Sequence, residues 1–565
     1  VKNQQVMNYL DSTKTLLLDI QEIRNESFDT RGNVLVQKIA TFASDWTILD
    51  VKVIRNESLD ALGNAARVTI AKYAKGFVDI DGYIQYSDFM DTTVIETSVF
   101  DLRGNALTQS VKKYSDEAGA VLIETQSVIN QPYDFMDRAT HSSITTTNSQ
   151  GAFVDRQEID YASYDIYGNV VDQTIERYDE LSSLIDYRVI RNTYDNPLAA
   201  RRGNATHTTI SRYADLALAL EIERQEISNL TFDTRGNIVD QLIELWVDGK
   251  MAKKTLITNS NISNLGNAAS QEITSFIYNA LTLTADIETS HQVILNRTFD
   301  SDSNVKNQQL YNYLDSTKTI LLDIQEIRNE SFDTRGNVLV QKIATFASDW
   351  AILDVKVIHS ESLDALGNAA KVTINKYAQG LVDIDGYIQY SDFMDTTVIE
   401  TSVFDLRGNA LTQSVKKYSD EAGAVLIETQ SVINQPYDFM DRATHSSITT
   451  TNSQGAFVDR QEIDYSSYDI YGNVIDQTIG RYDELSSLID YRVIRNTYDN
   501  STAARRGNAT HSTITRYADL ALALEIERQE ISNLTFDSRG NIVDQLIELW
   551  VEGKMAKKTV IKNSN

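Results

Sequence analysis

The chain has 565 residues, with 52 basic and 80 acidic side chains and a formal net charge of −28. This acidic balance makes a nucleic-acid backbone or an anionic lipid surface a poor partner, while divalent cations and neutral polymers remain compatible with it. The sequence has no cysteine, which excludes disulfides and thiolate metal sites, and no run of about 18 apolar residues, so it predicts no membrane span.

Two large repeats divide the chain. Residues 1–261 match residues 305–565 at an offset of 304 positions, with about 21 differences. We therefore predict a first large repeat over residues 1–304 and a second, truncated one over residues 305–565. Because the chain starts at Val1 without an initiator methionine, we expect it to be a fragment of a longer periodic protein.

A smaller unit of about 34 residues recurs inside each large repeat, about nine times, and most units carry a Gly-Asn pair. In the first large repeat the glycines of these pairs are Gly32, Gly63, Gly104, Gly168, Gly203, Gly236 and Gly266. Degenerate versions of the pair stand at Asp137 and Ser303. An aspartate usually precedes the glycine by three residues, and the residue before that aspartate is usually aromatic, as in Phe28-Asp29. A period of this length is typical of stacked supersecondary units.

The Asp-x-x-Gly core has the chemistry of a tight turn. An aspartate in the first position accepts backbone N–H groups, and a glycine in the fourth takes a positive φ without steric cost. This combination predicts the three-residue loop of a β-hairpin, with the glycine in a G1 bulge. The structural turn residues that the pattern identifies most clearly are Asp29, Gly32, Asn33, Asp101, Gly104, Asn105, Asp165, Gly168, Asn169, Asp233, Gly236 and Asn237.

The segments beside each turn favour strands. Aliphatic residues recur nine positions before and seven positions after the glycine, as Ile23 and Ile39 do around Gly32. Residues 214–225 score as helix by propensity alone, but the same register in other units is filled by β-branched residues, which favours strand. Recurring Gln and Asn side chains have two interpretations, a hydrogen-bonded ladder or solvated positions on the strands.

These patterns predict an all-β fold. A single hairpin is marginally stable in water, so the hairpins of each large repeat must pair edge to edge or stack to bury a shared face. We predict tandem β-hairpin repeats that form a continuous spiralling sheet, solenoid or tube. Repeated aliphatic and aromatic positions then form ladders along the axis of the array.

A Tyr-Asp-x-x-Gly-Asn hairpin that recurs along a chain resembles the YD repeats of the RHS family. The motif is clearest at residues 164–169 and 468–473, which both read Tyr-Asp-Ile-Tyr-Gly-Asn. The resemblance implies a continuous spiralling sheet, as a hollow shell around a toxin or as an extracellular adhesive stalk. Two features depart from the family: the unit here is longer, and the aromatic position accepts Phe or Leu as readily as Tyr. The self-cleaving segment that closes the toxin shells has no counterpart in this sequence.

No pattern in the sequence favours catalysis. The six histidines show no metal-ligand spacing, which favours structural or surface roles for them. The sequence also lacks a Gly-x-Ser-x-Gly motif, a phosphate-binding loop and a cysteine nucleophile. We therefore predict that the protein is not an enzyme.

Calcium is the one cofactor with some support in the sequence. Asp300, Asp302 and Asn304 alternate like the start of a calcium loop, although Val305 and Tyr311 replace the glycine and glutamate that such a loop requires. A second weak candidate is the segment at residues 79–82, repeated at residues 383–386. Because Asp300 is also the turn aspartate of its hairpin, a purely structural role competes with calcium binding.

Together these features favour a structural role. We expect an exported filament, tube or cell-surface stalk that is extracellular and whose partner is itself or an adjoining repeat of the same chain. One alternative is a surface adhesin in which aromatics outside the repeat register, such as Tyr83, Tyr86 and Phe89, bind glycans. Another is the shell of an RHS-type toxin, which requires a lumen and a plug made from non-repeat segments.

Overall fold

All of the strands belong to one antiparallel sheet. The computed structural model describes residues 1–10, 13–300, 302–364, 366–383, 386–537 and 540–563. Within these residues, 34 strands follow one another along the chain, and each pairs with its neighbours in sequence. The predicted all-β fold of tandem hairpins is therefore confirmed.

The strands of the first large repeat are β1 Asn3–Tyr9, β2 Leu17–Phe28, β3 Val34–Ala43, β4 Ile48–Leu59, β5 Ala65–Val78, β6 Ile84–Phe100, β7 Ala106–Tyr114, β8 Leu122–Asn130, β9 His141–Asn148, β10 Phe153–Tyr164, β11 Val170–Tyr178, β12 Leu184–Thr193, β13 His207–Tyr213, β14 Glu221–Phe232, β15 Ile238–Val247, β16 Lys250–Ile262, β17 Ala268–Asn279 and β18 Thr284–Phe299. Those of the second are β19 Val305–Tyr313, β20 Leu321–Phe332, β21 Val338–Phe346, β22 Ile352–Leu363, β23 Ala369–Val382, β24 Ile388–Phe404, β25 Ala410–Tyr418, β26 Leu426–Asn434, β27 His445–Asn452, β28 Phe457–Tyr468, β29 Val474–Tyr482, β30 Leu488–Thr497, β31 His511–Tyr517, β32 Glu525–Phe536, β33 Ile542–Val551 and β34 Lys554–Lys562.

The connections at the two ends of the strands differ chemically, and each row of strand ends is called an edge below. Every even-numbered strand up to β32 runs toward the edge that carries the Asp-x-x-Gly-Asn turns, and this edge is called the turn edge below. The other connections, such as residues 44–47 and 115–121, lie at the opposite end of the strands, the far edge. This alternation follows directly from the antiparallel order of consecutive strands.

An aspartate carboxylate holds most of the reversals at the turn edge together. Asp29 Oδ1 accepts the backbone N–H groups of Arg31 at 2.9 Å and Asn33 at 2.8 Å, and its Oδ2 accepts the Asn33 side-chain amide at 2.9 Å. The closing glycine is left-handed, with φ of +90° at Gly32. The predicted turn geometry is therefore confirmed. The same carboxylate bonds recur in the turns that contain Asp101 and Asn105, Asp165 and Asn169, and Asp233 and Asn237.

Successive turns pack in a line along the turn edge. Asn33 Oδ1 lies 3.1 Å from the position that a Cβ atom on Gly63 would occupy. Arg31 Nη1 donates to the carbonyl of Asp60, the first residue of the next turn, at 2.7 Å. The asparagine and the turn arginine thus reach the following unit, so the Gly-Asn pair serves both the turn and the contact between turns.

One face of the sheet carries a continuous aliphatic ladder. Within a hairpin the aliphatic side chains are directly paired, as Ile23 is with Ile39 and Ile54 is with Ile70. Between hairpins the register is offset by two residues. Ile54 therefore pairs with Gln37 on the preceding strand and not with Ile39. Because cross-strand pairs are the unit of sheet stabilisation, this repeated register holds the hairpins in one alignment along the sheet.

Glutamine and asparagine form a polar ladder beside the aliphatic one. Gln37 Nε2 donates to Asn25 Oδ1 at 2.7 Å, and Asn25 Nδ2 donates to the carbonyl of Val1 at 2.9 Å. The Gln–Asn bond recurs at 2.8 Å from Gln241, Gln271, Gln341 and Gln545. Each of these asparagines links its own hairpin to the strand before it. Of the two interpretations of these side chains, the structure supports the hydrogen-bonded ladder.

The longest hairpin, β5–β6, folds back over the sheet. Its tip reaches β2, where the Arg24 guanidinium lies 3.5 Å from the ring centre of Tyr83. Tyr86 and Phe89 pack against Tyr73, with ring centres 4.3 and 5.7 Å apart. The buried core that the hairpin shares with β2, β3 and β4 consists of Ile20, Ala40, Phe42, Val51, Val53, Ala71, Tyr73 and Ile84. Two of the aromatics that sequence analysis considered for glycan binding are therefore packed against a core residue.

Two short helices at the turn edge were not predicted. They are α1 Pro197–Ala200 and α2 Ser501–Arg505, and the Asn196 side chain caps α1 by accepting the backbone N–H of Leu198 at 3.0 Å. The segment with helical propensity at residues 214–225 forms instead a turn and the start of β14. Among the residues that the structure describes, no helix is long and apolar enough to cross a membrane.

Two turn glycines allow the effect of backbone conformation on stability to be separated from the effect of packing. Gly236 and Gly168 have similar φ angles, +83° and +89°, but a Cβ on Gly236 would lie 2.5 Å from the Leu198 carbonyl oxygen of α1, whereas one on Gly168 meets nothing within 4 Å. We expect Gly168→Ala to cost about 1–2 kcal/mol of left-handed backbone strain. Gly236→Ala is expected to cost more, because α1 must also move. Hydrogen exchange of the flanking strands measures both, and equal protection in the two variants would contradict the packing contribution.

Candidate functional site

The sheet returns on itself, and its two edges meet along a seam. Hydrogen bonds join residues 191 to 257 positions apart, each between the far edge of an earlier strand and the turn edge of a later one. For example, Lys113 Nζ at the far end of β7 donates to the carbonyl of Asp333 in the turn after β20, at 3.2 Å. The sheet is therefore a spiral, as predicted, and the seam is the contact between its successive turns.

The most buried part of the seam is a lysine among carboxylates. Lys72 Nζ lies 3.0 Å from Asp300 Oδ2, 2.6 Å from Asp302 Oδ2 and 3.6 Å from Asp50 Oδ2. Lys72 and Asp50 lie on β5 and β4 of one turn of the spiral. Asp300 and Asp302 lie in the connection between β18 and β19, which belongs to the next turn of the spiral. Lys72, Asp50 and Asp300 are fully buried. The seam therefore joins two turns through desolvated charges of opposite sign.

The charges in this cluster shift each other's protonation. Burial by itself lowers the pKa of Lys72, but Asp300 and Asp302 outweigh it and raise that pKa above its usual value. Burial likewise tends to raise the pKa of Asp302, yet the Lys72 ammonium lowers it to about 2. Both groups are consequently charged over the whole neutral range, so the attraction across the seam persists there.

A second contact lies at the neighbouring hairpin of the same turn. Glu124 Oε1 accepts the backbone N–H of Thr334 at 3.0 Å and also its hydroxyl. Lys113 and Glu124 are directly paired on β7 and β8, and both are buried. Two charged residues that are paired across β7 and β8 therefore contact one tight turn that belongs to the later turn of the spiral.

Farther along the seam, arginines stand at the positions that correspond to Lys72 and Lys113 in their own units. Arg212 donates through Nε to Asp186 Oδ2 at 3.0 Å and through Nη2 to the carbonyl of Leu406 at 2.7 Å. Arg177 Nε lies 3.3 Å from Asp155 Oδ2. Burial, with the nearby charge of Arg188, lowers the pKa of Arg177 to about 10, so the guanidinium remains charged at neutral pH. Basic side chains of β5, β7 and β13 thus contact the later turn of the spiral, Lys72 through carboxylates and Lys113 and Arg212 through backbone carbonyls.

The weak calcium candidate lies in this seam. Asp300 is the turn aspartate of its hairpin and accepts the backbone N–H groups of Asp302 at 3.0 Å and Asn304 at 2.8 Å. The Lys72 ammonium lies against the same carboxylates. Within the described residues, no group of three or more His, Asp or Glu side chains is placed to hold a metal ion. Calcium binding here remains a prediction.

The second calcium candidate forms the tip of the folded-over hairpin. Asp79 Oδ1 accepts the backbone N–H groups of Asp81 at 3.1 Å and Tyr83 at 2.7 Å, which is the same turn chemistry as elsewhere. In the copy at residues 383–386, Ile384 and Asp385 lie outside the residues that the structure describes. This segment therefore serves as a turn in the described part of the chain.

Of the charged residues at the seam, only Asp300 and Asp302 were identified from the sequence, as turn and calcium candidates, and the basic residues were not. Lys72, Lys113, Arg177 and Arg212 each stand nine residues after the glycine of their unit. A basic residue that recurs in one register of a chain with a net charge of −28 is a signal that was present in the sequence. The partners of these residues were not visible, because they belong to another turn of the spiral.

Comparison with known proteins identifies no family for this chain. No family model matches the chain, and no curated protein matches it significantly. A crystal structure of TcdB2-TccC3 aligns over 95% of this chain and 35% of its own, with 10% identity and a TM-score of 0.18. A structure of the Photorhabdus luminescens Tc holotoxin pore aligns over 93% of this chain and 33% of its own, with 11% identity and a TM-score of 0.17. The chain thus spans about a third of these solved chains, and a similarity this low bears on neither detailed geometry nor function.

The buried lysine has a matched control in the second large repeat. We expect Lys72→Met to destabilise the seam by about 3–5 kcal/mol, because it leaves Asp50 and Asp300 buried without their cation. The same change at Lys376, 304 positions later, should cost far less, since that side chain is 35% exposed against 5% for Lys72. Hydrogen exchange of β4, β5 and β19 measures the effect. Similar losses in both variants would show that the seam does not bury Lys72.

The low pKa of Asp302 predicts how the seam responds to acid. Its value of about 2 in the folded chain lies below the ordinary 3.8, so its contribution to stability is fully present above pH 3.8 and is lost as the pH falls toward 2. We expect the difference in melting temperature between the native chain and Asp302→Asn to be constant from pH 7 to about pH 4 and to shrink below that. A difference that is independent of pH down to about pH 2 would contradict the ion pair with Lys72.

Proposed function

We propose that the chain is a structural element, a stiff spiral segment of an exported filament, tube or cell-surface stalk. The observation that carries this proposal is the single sheet, with 34 strands in the described part of the chain, whose successive spiral turns are in contact along the seam. Strand pairing along the chain and the seam across it restrain the array in two directions. Its partners are itself or adjoining repeats, and it performs no catalytic reaction.

Two kinds of contact make the array resist separation of its hairpins. A meander by itself unzips one hairpin at a time, because each strand pairs only with its neighbours in sequence. The seam adds contacts between residues more than 190 positions apart, such as Arg212 with Leu406. Separation of one hairpin then requires that its contacts with another turn break as well. Length and stiffness therefore grow with the number of repeats.

An extracellular or surface location suits this role and the composition. Long sheets are prone to edge-to-edge aggregation, and a net charge of −28 opposes it. The glycan-binding adhesin and the toxin shell remain alternatives that make different demands on the structure. An adhesin needs accessible aromatics, of which Tyr83 retains an exposed ring although Arg24 covers one side of it. A shell needs a closed lumen.

The spiral can be tested by crosslinking, since the chain has no native cysteine. Lys52 Nζ and Asp302 Oδ1 lie 3.4 Å apart across the seam, and neither side chain is deeply buried. We expect the pair Lys52→Cys and Asp302→Cys to be joined within one chain by a short bis-maleimide. The matched control combines Asp302→Cys with Lys356→Cys, which is the counterpart of Lys52 in the second large repeat and should not be joined.

Electron microscopy of the native material then tests the role itself. Fibres or tubes of uniform width support the structural proposal, whereas compact closed shells favour the toxin-shell alternative. A glycan array with the purified chain tests the adhesin. Failure of the seam crosslink together with absence of fibres would overturn the proposed function.

A further inference from the structure

A cavity of about 420 Å³ lies in the seam, and parts of the chain that are distant in sequence form its wall. The far edge contributes the connection between β3 and β4. The turn edge contributes the connection between β16 and β17 and the ends of β18 and β19 beside their turn, and Tyr387 of the β23–β24 hairpin completes the wall. Ligand-binding cavities commonly measure roughly 300–1,000 Å³, so this one has room for a small organic molecule.

The wall of this cavity is basic, although the chain is acidic overall. Among the described residues that line it, one is acidic, Asp45, and four are basic, namely Lys75, Arg297, Lys306 and Arg328. The Asp45 carboxylate accepts the backbone N–H of Thr47 at 3.0 Å, within its own loop. The whole chain has 80 acidic and 52 basic residues, so the balance of charge is inverted at this site.

Two of the four cations are engaged with other side chains. Lys75 Nζ lies 3.2 Å from Asp88 Oδ2. Arg328 Nη1 donates to Asn307 Oδ1 at 3.2 Å, and the Arg328 guanidinium lies 3.6 Å from the ring centre of Tyr387. These contacts fix the shape of the wall. The charge that can act on a ligand therefore comes mainly from the other two cations.

Arg297 is a partly buried guanidinium without a counter-ion in the described part of the chain. Its Nη1 reaches the carbonyl of Ala268 at 3.5 Å, and its Nε is buried without an acceptor. The guanidinium lies 5.1 Å from the ring centre of Phe299. Burial by itself lowers the pKa of Arg297. A desolvated charge in this state is costly, and a bound anion would relieve that cost.

Lys306 stands on β19, the strand that pairs with the β18 strand of Arg297. Its Nζ donates to the carbonyl of Leu49 across the seam at 3.5 Å, and it forms no ion pair with a described residue. Burial lowers the pKa of Lys306, and the more distant charges of Asp300 and Asp50 oppose this shift. Two cations without a close counter-ion thus line one cavity.

The rest of the wall combines hydrogen-bonding groups with apolar surface. Asn261 and Asn267 contribute amides and Ser44 contributes a hydroxyl, whereas Leu18 and Phe299 are apolar. An inorganic anion would use only the charges of this wall. A sugar that carries a carboxylate has a charge, several hydroxyl groups and an apolar ring face, so it matches all three kinds of surface.

We propose that this cavity binds an acidic saccharide, with the carboxylate of the sugar paired to Arg297 and Lys306. The guanidinium offers the planar pair of donors that fits a carboxylate, and the ammonium adds a second positive charge. The amides bind sugar hydroxyl groups, and Phe299 faces the apolar side of the ring. The site goes beyond the structural role proposed above and does not depend on it. It also uses none of the three aromatics that sequence analysis considered for glycan binding.

The net charge of the chain restricts the ligand to a short saccharide. A long polyanion is repelled by the chain as a whole, which carries a charge of −28. At about 0.15 M salt, charges more than about 8 Å away are largely screened. A single carboxylate inside the cavity therefore responds mainly to Arg297 and Lys306.

A ligand in this cavity would contact two turns of the spiral at once. Its binding should stabilise the folded chain, because the far edge and the turn edge form the site only when they are in contact. We expect saturating galacturonate to raise the melting temperature and to slow hydrogen exchange at the ends of β3, β4, β18 and β19 that flank the cavity.

Isothermal titration calorimetry of the full chain with galacturonate at about 0.15 M salt tests the proposal. Galactose and inorganic phosphate are the comparison ligands, since galactose lacks the carboxylate and phosphate lacks the sugar ring. We expect galacturonate to bind, and both comparison ligands to bind about tenfold more weakly or less.

Two variants and one matched control assign the binding to the cavity. Arg297→Gln should weaken galacturonate binding about tenfold or more, and Lys306→Gln should also weaken it. Neither should lower the melting temperature of the free chain, because neither cation has an ion pair to lose. Arg460→Gln is the control: Arg460 lies 5.0 Å from the ring centre of Tyr482, but it is paired with Glu462 at 3.3 Å and does not line this cavity. This change should leave binding unchanged.

Any of four results would overturn the proposal. The first is no binding of galacturonate up to about 10 mM. The second is equal affinity for galacturonate and galactose, or for galacturonate and phosphate, where the latter indicates a simple anion site. The third is unchanged binding in both cavity variants. The fourth is a lower melting temperature of both free variants, which would show that the two cations serve the fold.

Discussion

The aspartate carboxylate that closes most of the turns at the turn edge is the interaction on which the rest of the structure depends. Three N–H groups converge on Asp29, and the same arrangement recurs at the turn edge. By fixing where each strand reverses, it sets the register of the strands on both sides. A slip of one residue would move every aliphatic side chain of the ladder to the opposite face. The register of the array is therefore set locally, turn by turn.

The seam uses the same turns for a second purpose. Asp300 closes its hairpin and also neutralises the buried Lys72 of another turn of the spiral. Buried ion pairs add little net stability compared with apolar contacts, but a broken pair is costly. A seam of this kind disfavours wrong alignments more than it strengthens the right one. This property suits a repetitive sheet, in which many alignments offer similar apolar contacts.

The folded-over hairpin gives a mostly single-layered sheet a local core. Gly76 lies so close to β4 that a Cβ atom there would be 2.3 Å from Val51 Cγ2. The hairpin covers Ile20, Val51 and their neighbours, and a corresponding core around Val355 recurs in the second large repeat. Two layers bury an apolar face that a lone sheet leaves open to water. Each large repeat thus carries one well-packed anchor in an otherwise thin sheet.

The local structure could be predicted from the sequence. Three features depend only on residues within about 20 positions of one another: the Asp-x-x-Gly-Asn turn, the strand pairing around it and the aliphatic register. Aspartate and glycine are also typical of particular positions in a turn, so these residues predict the backbone conformation. Even the degenerate turn at Ser303 was recognised by position, and it takes the left-handed φ of +65°. Repetition made each of these signals visible many times.

Tertiary structure alone decided which distant surfaces meet. The length of one spiral turn depends on the twist and coiling of the whole sheet, which no single unit encodes. That length determines that Lys72 faces Asp300 and that Arg212 faces Leu406. The recurring basic residue nine positions after the glycine was present in the sequence, but its partner is defined only once the sheet has completed a full turn.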